Sequence, residues 1–368
     1  MGLVTSRAQR HALETARAKL SSDDLAIVRW RKYNCHQINL NHGRKRMTIN
    51  EALILPPTRD ERWDLAKQSG VNHAVINSLN IGAGQRYQEY DELLRLKNAF
   101  QNAGLDLQVI EEAFPLTDNT VLGKKGRDAE IDAFCEFLRN AGAAGISTVC
   151  YDWMASRRWS RTDTARPARG GSLTTAYDHD EMQRGPNPPE APVTEETLWT
   201  TLEYFLERVV PVAEEADVHL ALHPNDPPLS PIRGIERIIT SVEAYDRVLD
   251  IIDSEHNGIT FCQGNFAAMG VDIPETIRHF GDRINYVHFR DVEGSVDSFV
   301  ETWHDNGPTD MLAAIRAYRD IGYDGLMRPD HVPTMAGESN DNPGYETRGR
   351  LFAIGYMRGL LEQTEDQV

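Results

Sequence analysis

Short apolar runs alternate with longer amphipathic stretches along this chain, and Gly, Asp or Pro marks most of the joints. The runs His73–Asn80, Leu105–Glu112, Gly145–Asp152, Val218–Pro224, Gly258–Cys262, Ile284–Asp291 and Gly325–His331 read as strands. An eighth strand is expected within Leu25–Leu40, where AIVRW and HQINL compete for it. Between the strands, ERWDLAKQSG, YDELLRLKNAFQNAG, RDAEIDAFCEFLRNAG and TLEYFLERVVPVAEEAD carry apolar residues three and four apart, the spacing of one helix face. The first three end in glycines suited to a helix C-terminus. Helix, cap and strand in repetition predict an α/β fold, a closed (β/α)8 TIM barrel. The first strand lacks the glycine-rich turn of an open nucleotide-binding sheet. Residues 1–24 read as an N-terminal extension and 25–368 as a single barrel. Residues 156–192, rich in Arg, Gly, Pro and Asp, form a long loop after the fourth strand, on the face where barrel active sites sit. A connection of that length is either functional or mobile, and it leaves room for a larger ligand.

With 40% hydrophobic and 26% charged residues among 368, the chain can bury a sizeable core. Its 39 basic against 56 acidic residues give a net charge of −17. Such a surface repels phosphate backbones and anionic lipid, so nucleic acid and membranes are poor partners. An acidic substrate would need local cations or a metal to overcome the same field. The opening segment has no apolar signal region, and no stretch approaches the roughly 20 apolar residues of a membrane span. The expectation is a soluble, cytoplasmic protein, with a homo-oligomer compatible and the oligomeric state left open. Cys35, Cys135, Cys150 and Cys262 are too irregularly spaced for a disulfide framework. Cys135 sits among apolar helix neighbours, and Cys150 falls inside the fourth strand.

Side chains at the C-terminal ends of barrel strands converge on one mouth. The last four strands end in His223 (ALHPNDPP), Cys262 (TFCQGN), His288 (YVHFRD) and Asp330 with His331 (MRPDH). Singly, each has a bland reading as a turn or core residue. Ligand-type residues at the same topological position of consecutive strands point together to a site for a divalent transition metal.

The segment TVCYDWMASRRWSRTDT resembles the mannonate dehydratase family, in which Cys-Tyr, an aromatic-Met step and Trp-x-Arg-Thr-Asp recur. VIEEAFPLTDNTVLG, PVAEEADVHLALHPNDPP, NGITFCQGN, FGDRINYVHFRDV, RPDH and NPGYETRGRLFAIGYMRGL follow in the family's order, so the resemblance covers roughly Leu105 to Leu361. It implies a xylose-isomerase-like barrel and a metal, usually manganese with iron, cobalt or zinc as alternatives, on the residues matching His223, Cys262, His288 and Asp330. It also implies acid–base chemistry at the positions matching His331 and Tyr345. The chain departs from the family where Asn77-Ser78-Leu79-Asn80 replaces Thr-Ala-Leu-His and where Val332-Pro333-Thr334 replaces Gly-His-Gln. Asp152 replaces an Asn, and Gln263-Gly264-Asn265 replaces Thr-Gly-Ser. These changes spare the metal set and fall on expected pocket residues, Asn80 among them.

The reaction implied is loss of water from a sugar acid: D-mannonate to 2-keto-3-deoxy-D-gluconate, or a related aldonic acid or sugar derivative. Arg161, Arg290 and Arg328 are candidates for holding the substrate carboxylate in a two-pronged grip. The alternative on the same barrel is a metal-dependent sugar isomerase or epimerase, because an enediol can be reprotonated instead of losing water. A DNA-repair nuclease would need a basic groove, which −17 opposes, and a non-catalytic sugar-binding barrel would not need an acid–base pair.

Overall fold

The computed structural model describes residues 49–77, 89–111, 116–156 and 159–365, all within one compact unit, Thr48–Val368. In chain order its strands are β1 (Asn50–Ile54), β2 (His73–Ile76), β3 (Asp106–Glu111), β4 (Thr148–Asp152), β5 (Asp163–Pro167), β6 (Leu173–Asp178), β7 (His219–His223), β8 (Asn257–Cys262), β9 (Ile284–Phe289), β10 (Val292–Ser295), β11 (Ser298–Glu301) and β12 (Leu326–Pro329). Eight close a parallel barrel in the order β1-β12-β9-β8-β7-β4-β3-β2. β4 and β8 are buried along their whole length, which is why they read as continuous apolar runs rather than alternating ones. The interior is filled by Ala52, Val75, Val109, Cys150, Ala221, Tyr286 and Leu326, so the barrel is a packed core with a mouth, not a pore.

The seven expected strands all form, six of them shorter than the apolar runs and β8 one residue longer. The expected eighth, within Leu25–Leu40, falls outside the described residues. Its barrel position is taken by β1, which pairs with both β12 and β2. The sequence NEALI hides this strand because Glu51 turns outward to the Arg358 guanidinium at 2.5 Å. Helix ends also differ at one point. Gly70 and Gly104 take the left-handed conformation expected of caps, but Gly142 lies inside the helix Arg127–Ala143. A Cβ there would come within 2.1 Å of the Ala216 carbonyl oxygen, so this glycine lets two helices touch, and Gly145 at φ 78° supplies the cap. The facing helix, Glu195–Ala216, buries Leu198, Leu202, Phe205, Leu206 and Val209 at three and four spacing, each worth about 1.5–3 kcal/mol over exposure. Cys135 packs in this outer core, as expected. No helix among the described residues is long and apolar enough to cross a membrane.

The long segment 156–192 is not an open loop. It folds into β5, β6 and the short helix His179–Gln183, and joins β10 and β11 in an antiparallel sheet of order β10-β11-β6-β5. Both pieces leave the barrel at strand C-termini, after β4 and β9, so this sheet is built at the mouth.

Candidate active site

Three expected metal ligands meet at the mouth. His223 and Cys262 end β7 and β8, and His288 lies opposite Cys262 in the β8–β9 register. One ligand atom from each of the three lies within 4.8 Å of the others. His223 Nε2 and His288 Nδ1 are 3.2 Å apart. Behind them, His223 Nδ1 is 2.7 Å from the Pro224 carbonyl oxygen, and His288 Nε2 is 3.4 Å from Glu111 Oε2. The Pro224 carbonyl can only accept, so His223 Nδ1 carries the proton and Nε2 the lone pair. Arg328 Nη2, which can only donate, lies 3.4 Å from His288 Nδ1 and leaves the lone pair there. Two lone pairs aimed at each other beside a thiol are what a cation requires. Asp330 stands at the edge of this group, with Oδ2 3.6 Å from His288 Nδ1 and 3.8 Å from Cys262 Sγ.

The arginines expected to grip substrate are instead committed to protein carboxylates, because each is buried and needs a counter-charge. Arg161 meets Asp226 and Glu301 at 2.5 Å each. Arg290 meets Asp330 at 2.9 Å, Glu301 and Asp226 at 3.0 Å, and Asn265 at 2.8 Å. Arg328 meets Glu111 at 2.6 Å and Asp330 at 2.7 Å. None of the three presents a free fork, since each is held by protein carboxylates. Gly264 makes room for this, since a Cβ there would fall 2.2 Å from Arg290 Nη1. Burial alone would raise the acids, but the guanidiniums outweigh it. Arg328 and His288 hold Glu111 well below the usual carboxylate range, and Arg161 and Arg290 do the same for Asp226. Asp330, also buried, is held low by His331, Arg328, His288 and Arg290. The N, S and O donors of this centre suit a divalent transition ion.

Next to Asp330, His331 and Tyr345 form a dyad, with His331 Nε2 3.1 Å from Tyr345 Oη. On the other side of the ring, His331 Nδ1 lies 2.8 Å from Glu301 Oε1. His331 holds a positive φ of 32°, a costly conformation for a non-glycine residue that surrounding structure must enforce. The backbone of Val332 does so by bonding the Gly344 carbonyl at 2.8 Å. Trp159 stands edge-on to the imidazole at 5.7 Å and is 38% exposed. Thr334, in the departing Val332-Pro333-Thr334 run, exchanges backbone hydrogen bonds with Leu173 at 2.8 and 3.0 Å, tying the capping sheet to the mouth. Asn80 lies outside the described residues.

Sequence reasoning missed Glu111, Asp226 and Glu301. Glu111 ends β3 as the metal candidates end their strands, and Asp226 sits in HPNDPP, so position alone could have found both. Glu301 belongs to β11, outside the barrel, and carries no such signal.

A family model described as D-mannonate dehydratase (UxuA) matches residues 62–188 and 190–368. A mannonate dehydratase of Thermotoga petrophila is 38% identical over 331 residues, covering 80% of this chain and 91% of the relative. One from Oceanobacillus iheyensis is 38% identical over 322 residues, covering 80% and 91%. The crystal structure of mannonate dehydratase from Streptococcus suis superposes with a TM-score of 0.80 at 33% identity, covering 87% of this chain and 96% of that one. An Escherichia coli 3-keto-D-glucoside 4-epimerase, at 13% identity and a TM-score of 0.57, shares the fold alone. With the barrel, the strand-end donors and these relatives together, the chain belongs to the D-mannonate dehydratase family.

Proposed function

We propose that this chain dehydrates D-mannonate to 2-keto-3-deoxy-D-gluconate, using a divalent ion on His223, Cys262, His288 and Asp330, with manganese first and iron, cobalt or zinc as alternatives. The reaction class, hydro-lyase chemistry on a sugar acid, is that of the family. The observation that carries the residue assignment is the His331–Tyr345 dyad standing beside a lone-pair-rich donor set.

The C2 proton of an aldonate is weakly acidic, and hydroxide is a poor leaving group. When bound, the ion would supply a Lewis acid toward the substrate carboxylate and its 2-hydroxyl. The protein supplies the proton traffic. Because Nδ1–H of His331 donates to Glu301, Nε2 is the basic nitrogen, and it takes the C2 proton. The C2–H electron pair becomes the C2=C3 bond as the C3–O bond breaks. Tyr345 protonates the departing oxygen, which leaves as water. His331 then returns its proton to Tyr345 across the 3.1 Å hydrogen bond, and the enol product tautomerises to the 2-keto acid. Arg161, Arg290 and Arg328 act indirectly, holding Glu301, Asp226, Glu111 and Asp330 in place. Trp159 offers an apolar wall for the sugar chain beside the dyad.

The test is a panel of aldonic acids with added manganese, read by a colour reaction for 2-keto-3-deoxy products. Mannonate should give product, and the ion-free protein should give none. Interconversion of aldoses and ketoses without a 2-keto-3-deoxy product would replace this reading with an isomerase or epimerase.

A further inference from the structure

We propose that Asp217, His219 and His256 form a second metal site, for a late first-row divalent ion such as zinc, on the barrel face opposite the mouth. Asp217 ends the helix Glu195–Ala216 in the left-handed conformation, at φ 53°. Two residues later His219 opens β7, and His256 immediately precedes β8, whose Asn257 is the register partner of Leu220. These are the N-terminal ends of parallel strands. His219 and His223 occupy opposite ends of one strand, four residues or about 13 Å apart, so the two sites cannot share an ion.

The two imidazoles are stacked, with centroids 4.6 Å apart and planes 15° from parallel. His219 Nδ1 lies 3.2 Å from the Glu255 carbonyl oxygen and His256 Nδ1 3.1 Å from that of Val218. A carbonyl only accepts, so each Nδ1 carries the proton and each Nε2 keeps a lone pair. Backbone carbonyls that fix the tautomer in this way are the usual second partner of metal-binding histidines, and His223 shows the same arrangement on Pro224 at the mouth. A ligand atom from each of Asp217, His219 and His256 lies within 4.8 Å of the other two. Ligands at about 2.0–2.2 Å from one zinc ion sit roughly 3–4 Å from each other. Because an imidazole lone pair lies in its ring plane, closing the site takes a shift of about an ångström together with a rotation of half-buried His219 out of the stack, pivoting on its Nδ1–H hydrogen bond, while exposed Asp217 swings in.

The local field favours a cation. The 22-residue helix points its negative end at this spot, with Glu214 and Glu215 in its final turn and no basic residue there. Two imidazoles and one carboxylate select zinc, copper or nickel over calcium or magnesium. An ion so held would join the end of one helix to the starts of two barrel strands and would stabilise the fold by binding only the native state.

The experiment strips the full-length protein with a chelator and dialyses it to equilibrium against micromolar zinc, with ions counted by mass spectrometry. Wild type should bind two per chain, and the His223→Ala/Cys262→Ser double variant, which disables the mouth, should bind one. His219→Ala and Asp217→Asn, the latter chosen because Asn tolerates the left-handed conformation, should each weaken the second ion at least tenfold. Both should still dehydrate sugar acid at the wild-type rate with manganese. In the double-variant background, the rise in Tm on adding zinc should vanish with His219→Ala. A single ion on wild type, or a second ion that survives both substitutions, overturns the proposal. Loss of dehydration alone bears on the mouth and leaves the ion count untouched, so the two failures are distinguishable.

Discussion

Replacing Glu301 by Gln probes the site through a residue outside the barrel that touches no substrate. Its carboxylate is 1% exposed and meets Arg161 at 2.5 Å, Arg290 at 3.0 Å through both oxygens, and His331 Nδ1 at 2.8 Å. Burial would raise this carboxyl, but Arg290, His331 and Arg161 hold it at about 2, so it is ionised throughout the working pH range. Gln keeps the shape, loses the charge and turns an amide N–H toward one of its donor partners. The lost pairing of two buried guanidiniums should cost about 3–5 kcal/mol of stability. Gln Oε1 can still accept from His331 Nδ1–H, but without the negative charge and in competition with Arg161 and Arg290, so it holds that tautomer less firmly and leaves Nε2 a weaker, less firmly aimed base. A general base contributes about 10²–10⁴-fold, equivalent to roughly 2.7–5.5 kcal/mol of barrel-mouth transition-state stabilisation. The assay is steady-state formation of 2-keto-3-deoxy acid with manganese, alongside ion content and thermal midpoint. The expected result is kcat lower by about 10²-fold or more, KM within threefold and the ion retained. A variant with bound ion and kcat within threefold of wild type would refute the orienting role of Glu301.

Single replacement of His223, Cys262, His288 or Asp330 by Ala should lower ion occupancy at the mouth, measured by mass spectrometry, and full occupancy in all four would remove them as ligands. His331→Asn and Tyr345→Phe should keep the ion and the fold yet lose about 10²-fold or more in kcat; normal turnover would make that residue a packing group. His304 is buried against the Phe289 carbonyl oxygen at 2.8 Å, and burial pushes its imidazole down to about 4. The unfolded chain binds that proton near pH 6.5 and the folded one only near 4, so stability falls as pH drops through this window, by up to about 3 kcal/mol. His304→Gln should flatten that part of the stability profile in denaturant titrations at pH 4–7, and an unchanged slope would contradict the assignment.

The barrel was legible because seven of its strands are buried over most or all of their length and so read as short, mainly apolar runs. β1 was not, since Glu51 points outward and breaks the run. The donors His223, Cys262 and His288 were legible because barrel topology turns a one-dimensional position, the strand end, into a shared location. The same rule reaches Glu111 and fails for Glu301, which arrives at the mouth on an antiparallel sheet made from two segments 120 residues and more apart, Asp178 pairing with Ser298. The carboxylate partners of Arg161, Arg290 and Arg328 were hidden for a related reason. A sequence displays three cations near a site but not the carboxylates that burial forces onto them. The strand character of 163–178 was hidden by its polar β5, which is exposed over almost its whole length and has no apolar face to mark it.

Removal of the C2 proton of mannonate with expulsion of its C3 hydroxyl leaves a direct mark in deuterated water, read by a proton NMR time course with manganese-loaded protein. The C2 proton signal should disappear while a C3 methylene resonance carrying one deuterium grows, the mark of an enol that collapses to 2-keto-3-deoxygluconate. Exchange of the C2 proton, with epimer or keto-sugar signals and no C3 methylene, would contradict this elimination.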